Sequence, residues 1–64
     1  MARISVAVVE GQRTFADALA ARLAVEADLR LVAVVESAAA GRRLLEGRHV
    51  DIALIDSELV HDAG

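Results

Sequence analysis

Three short apolar runs divide the chain, and between them the apolar positions recur every three or four residues. The first run is Ile4-Ser5-Val6-Ala7-Val8-Val9. It is rich in β-branched residues on both alternating faces, the pattern of a strand covered on both sides in a parallel sheet. A strand is predicted over 3–9, ending at Glu10-Gly11, where glycine permits a sharp turn. The period then changes. Phe15, Leu19 and Leu23 recur every four residues with Ala16, Ala20 and Ala24 beside them, while Arg13, Asp17, Arg22 and Glu26 fall mostly on the opposite side. That spacing predicts an amphipathic helix over 12–27 with the leucine and phenylalanine stripe facing a core.

The second run, Arg30-Leu31-Val32-Ala33-Val34-Val35, predicts a strand over 30–35. Ser37 is suited to cap the next helix, because its hydroxyl accepts from free amides of the first turn. That helix is expected over 38–46, weakened at Gly41 by about 1 kcal/mol relative to alanine. It is expected to end at Gly47 as a left-handed residue. The third run, Val50-Asp51-Ile52-Ala53-Leu54-Ile55, predicts a strand over 50–56 that runs into Asp56, and 57–64 reads as a loop.

The element order is therefore βαβαβ in one α/β unit over 1–64. Right-handed crossovers between parallel strands place the first strand in the middle, in order 2-1-3, with helices on both faces. In such a sheet ligands bind beyond the carboxyl ends of the strands, where the winding direction reverses. That point lies between the first and third strands, whose ends carry Glu10 and Asp56. Two adjacent carboxylates repel, so the pair points to a cation held by oxygen ligands, commonly Mg²⁺. A carboxylate at a strand tip is also a nucleophile toward phosphorus. The plainer reading of either acid is a solvated loop residue or a helix cap.

Composition narrows the field. With 56% hydrophobic and 27% charged residues the chain is globular, and no uncharged run approaches the ~20 residues of a membrane span. No export signal opens the chain and no cysteine is present, which together predict a reducing, cytoplasmic setting. The formal net charge of -3 argues against a DNA-gripping surface. Every basic residue is arginine. Any mechanism that needs a lysine cannot be completed within this chain. No glycine-rich phosphate loop follows the first strand, only Glu10-Gly11-Gln12-Arg13, which argues against a piece of a nucleotide-binding α/β enzyme.

Residues 4–15 (ISVAVVEGQRTF), 31–45 and 51–56 (DIALID) resemble the receiver domain of two-component response regulators, especially those preceding a LuxR-type helix-turn-helix. The resemblance runs over the whole chain. It implies the amino-terminal half of a flavodoxin-like fold, with Glu10 in the acidic turn, Asp56 as phosphoacceptor and Gly64 in the loop before a third helix. It also implies a non-enzymatic module whose partner is a sensor histidine kinase and whose DNA contact is made by a separate effector domain. Mg²⁺ would be held by Glu10, Asp56 and the backbone carbonyl of Glu58. The Glu58 side chain is a further candidate, either as a ligand or as a mimic of the phosphoryl group. His61 and Asp62 make only a weak ligand pair.

The chain departs from that pattern. Gly11 stands where the second acid of the turn belongs, so Mg²⁺ is expected to bind weakly, because affinity follows ligand charge and number. Leu59-Val60 replaces the family's Met-Pro, and the switch Ser/Thr and lysine are absent; Thr14, the one threonine, lies in the first helix. An atypical receiver is therefore expected, with weak or dispensable phosphorylation at Asp56. A conventional Mg²⁺-dependent phosphoacceptor and a ligand-sensing pseudoreceiver are the rivals. Without the family's second half, Ile52 and Leu54 are expected to be exposed beside an unpaired strand edge. That predicts either a piece of a longer regulator or a homodimer, edge to edge through the third strands.

Overall fold

The computed structural model describes residues 3–59; Val60, His61, Asp62 and Gly64 of the readings above lie outside the described residues. The observed elements are β1 (Ile4–Val9), α1 (Arg13–Ala24), β2 (Leu29–Val35), α2 (Ala38–Gly47) and β3 (Ile52–Ile55). The sheet is parallel with strand order β2-β1-β3, as the apolar pattern predicts. The crossover from β1 to β2 and the one from β2 to β3 run in opposite directions across the sheet, and right-handed connections then put α1 and α2 on opposite faces.

β1 is the core. Val6, Ala7, Val8 and Val9 are all buried, because a central strand is flanked on both edges and covered on both faces. Outside it, among the described residues, only Ala16 and Gly41 join the buried class of apolar and small residues. The register of β1 on β2 slips between Val6 and Ala7, so that Val32 has no partner opposite it.

Several boundaries move. α1 stops at Ala24 and not at 27, because the Glu26 amide donates to the Leu23 carbonyl and the Leu29 amide to that of Glu26, a tight reversal that delivers the chain to β2. The Ile4 amide then bonds the Asp28 carbonyl, which starts the pairing one residue earlier than expected. β3 is shorter than 50–56, since Asp51 turns its side chain onto Ser5 and Asp56 turns its own onto the following backbone. Arg3 lies outside β1, and Gln12 sits at the N-cap position of α1 without a side-chain capping bond.

The chain bends at Gly11 as predicted, whereas Gly47 behaves otherwise: no described residue has a positive φ, so Gly47 is not held by a left-handed backbone. Gly47 is the last residue of α2, and the chain passes straight into extended backbone at Arg48 (φ -153°, ψ 141°), which needs no left-handed residue. Ser37 does cap α2, its Oγ accepting from the Ala40 amide at 3.1 Å.

The α1 stripe is not a closed core. Phe15 is 52% exposed and Leu19 and Leu23 are half-buried, because no described element lies over that side of the helix.

Candidate functional site

Glu10 and Asp56 meet on one rim of the sheet. The Glu10 amide donates to the Val35 carbonyl and the Asp56 amide to the Val9 carbonyl, both at 2.9 Å. Each acid is thus the first residue beyond a strand, pinned by backbone to its neighbour. Both line an open cleft of about 370 Å³ whose walls are Phe15 and Leu19 of α1 and Leu54 and Ile55 of β3, with Ser57 at its end. Glu10 is 7% exposed, and its Oε2 accepts from the Gln12 amide at 3.1 Å.

Asp56 is half-buried, and its carboxylate has a structural task. Its Oδ1 accepts from the Glu58 amide at 3.0 Å, and its carbonyl accepts from the Leu59 amide at the same distance. Residues 57–59 are therefore a helical turn with Asp56 at its N-cap, where a loop was expected. Oδ2 carries no hydrogen bond among the described residues. A Cβ on Gly11 would lie 3.9 Å from this oxygen and 3.5 Å from Leu59 Cδ2, both ordinary contact distances. The vacant side-chain position in the acidic turn thus points at the free oxygen of Asp56, with room for a larger residue.

That geometry tests the implied Mg²⁺ set. Glu10 and Asp56 are brought together, whereas the exposed Glu58 side chain is not part of the cleft. Among the described residues no three acidic or histidine side chains gather as a metal-holding group. The three-residue set Glu10, Asp56 and Glu58 does not fit as a side-chain site. Two carboxylates remain, each with one oxygen already committed to backbone.

A second polar cluster, missed in the sequence, occupies the opposite rim. Ser5 is buried, and its amide and hydroxyl donate to Asp51 Oδ2 at 2.8 and 3.0 Å, while the Asp51 amide donates back to Ser5 Oγ at 2.9 Å. His49 Nε2 lies 2.8 Å from Asp51 Oδ1. The Ser5 amide, then the His49 and Ser5 side chains, hold the Asp51 carboxyl down at about 2, against an ordinary 3.8. Residue types alone suggest a catalytic triad, but the carboxylate sits between serine and histidine, so the His49 imidazole does not reach Ser5 Oγ. The cluster is a clasp joining the start of β1 to the approach to β3. The signal available in the sequence was one hydroxyl inside an otherwise apolar run.

No family model, curated protein or solved structure matches this chain. No helix among the described residues is long and apolar enough to cross a membrane.

Proposed function

We propose that the chain is a receiver-like signalling module of a response regulator controlling transcription, with weak or dispensable phosphorylation at Asp56. The observation that carries this reading is the cleft at the carboxyl ends of β1 and β3, where Glu10 and Asp56 converge and Gly11 leaves the position beside Asp56 Oδ2 empty. A sensor histidine kinase is the phosphoryl donor in this reading, and DNA is contacted only through a domain outside this chain.

The chemistry follows from which oxygen is free. Oδ1 holds the Glu58 amide, so Oδ2 is the nucleophile. Its bond to phosphorus forms as the donor's N–P bond breaks, and the electron pair leaves on the donor imidazole nitrogen. Negative charge on the phosphoryl oxygens needs a cationic partner. The cleft offers a second carboxylate instead, the Glu10 side chain, and the chain contains no lysine. Transfer to Asp56 is correspondingly slow.

The apolar walls of the cleft support a second reading, in which an amphipathic small molecule with a cationic end occupies it. One experiment separates the two. The chain, Asp56→Asn and Gly11→Asp are incubated with acetyl phosphate and Mg²⁺, and adducts are read by intact mass. Slight modification of the wild type, none in Asp56→Asn, and an increase of roughly tenfold in Gly11→Asp are expected, since a third carboxylate completes the ligand set. Rapid stoichiometric modification of the wild type would restore the conventional phosphoacceptor. No adduct on any variant, Gly11→Asp included, removes Asp56 as a phosphoacceptor and favours the ligand-sensing reading.

A further inference from the structure

We propose that Ser5 and Asp51 are positioning residues for the cleft: their clasp locks the register of β3 on β1 that sets Asp56 beside Glu10. This role rests on the reading of that cleft as the reactive site, but its test involves no phosphoryl transfer. Ser5 and Asp51 are 46 residues apart, and so are Glu10 and Asp56. Both pairs therefore belong to one parallel ladder. Between them it pairs Val6 with Ile52, Ala7 with Ala53, Val8 with Leu54 and Val9 with Ile55. The clasp closes the first end of this ladder, and the two acids stand at the last.

Neither the apolar residues nor the acids select this register. Apart from Ser5, β1 is apolar throughout, and β3 is apolar at every position. Sliding one strand along the other still lays apolar side chains mostly against apolar ones, so their pattern specifies the pairing weakly. At the far end a slip is even favoured, because two neighbouring carboxylates repel. The Asp56 side chain gives no hold on β1. Its Oδ1 accepts from the Glu58 amide, and among the described residues it is the Asp56 amide that reaches across, to the Val9 carbonyl at 2.9 Å.

The clasp has what the far end lacks. Ser5 is the one polar residue of β1 and is 4% exposed, so its hydroxyl needs a partner inside the protein. Asp51 Oδ2 accepts from both the amide and the hydroxyl of Ser5. The Asp51 amide donates back to the Ser5 carbonyl at 3.0 Å and to Oγ at 2.9 Å. His49 Nε2 holds Oδ1, which leaves Oδ2 to Ser5. A one-residue slip would set Asp51 against Ile4 or Val6 and take its oxygen from the buried hydroxyl.

Amide hydrogen exchange followed by NMR reads the two sides of β1 separately. The Asp56 amide reports on β3 through Val9, and the Glu10 amide reports on β2 through Val35. Asp51→Ala is expected to speed exchange at Asp56 roughly tenfold relative to Glu10, since it removes the hydrogen bonds that pin the start of β3. Ser5→Ala is expected to act in the same direction. The double variant should go no further than Asp51→Ala, because the two residues share one interaction. Asp51→Asn keeps an oxygen for the Ser5 donors and is expected to restore most of the protection. Equal acceleration at Asp56 and Glu10 would mean a general loss of stability and would overturn the proposal. So would an unchanged Asp56, or an Asp51→Asn chain no better protected than Asp51→Ala. Should Asp51→Ala unfold the chain by circular dichroism, the ratio of Asp56 to Glu10 exchange in Ser5→Ala decides. A chain that takes no phosphoryl group yet shows this pattern keeps the clasp and loses only the phosphoacceptor.

Discussion

Asp51 and Asp56 are both aspartates at the ends of one four-residue strand, yet their surroundings give them different work. Asp51 is held by two donors from Ser5 and by His49, and its carboxyl is lowered to about 2 from 3.8. A depressed folded-state value means that the stabilisation is complete above 3.8 and is lost as pH falls toward 2. Urea titrations at pH 5 and pH 2 should therefore show the chain losing stability on acidification, with a smaller loss in Asp51→Asn. An equal loss in both would move the acid sensitivity to other carboxylates. Asp56 keeps one oxygen for the turn 57–59 and one without a hydrogen-bond partner among the described residues. Its place at a strand tip was legible from the end of the third apolar run. A helix cap was among its plain readings; the turn 57–59 that it caps was not, because that stretch reads as a loop in the sequence.

At the scale of elements the glycines carry the most information. A Cβ on Gly41 would come within 2.9 and 3.1 Å of the two Val9 methyls, and Val9 is buried with a stiff β-branched side chain. Gly41 is thus the point where α2 lies close on β1, which the sequence presented only as a weak spot in a helix. Alanine there gains about 1 kcal/mol of helix propensity. Overpacking costs about 1–3 kcal/mol, so Gly41→Ala should be net destabilising. Val9→Ala in the same chain should remove the clash. Gly47 is the internal control. It has nothing within 4 Å and no positive φ, so Gly47→Ala should stabilise by about 0.5 kcal/mol. Thermal melts of the two variants should move in opposite directions; shifts of the same sign would remove the packing role of Gly41.

For the whole molecule, the small number of buried residues is the governing fact. Burial is concentrated in β1, and large apolar side chains such as Phe15, Ile52 and Ile55 remain open to solvent. A domain of about 60 residues is marginal in any case, with only ~60% of its unfolded surface removed from water. If the β3 edges pair, folding and association are linked, and the melting temperature rises with protein concentration. Calorimetry over a hundredfold range of concentration should show that rise in the wild type. A concentration-independent midpoint would mean that the single copy supplies all of its own stability.

The order βαβαβ, the central place of β1 and the convergence of Glu10 with Asp56 were all legible in the chain itself. They follow from the period of the apolar residues and from the handedness of parallel crossovers, which are local or universal constraints. Tertiary structure alone decided where α1 and β3 end, that Gly41 is a packing residue, that Ser5 and Asp51 form a clasp, and that Phe15 stays open. Each of these depends on what lies across a gap from residues far away in sequence, and periodicity within one element holds no record of its neighbour's shape.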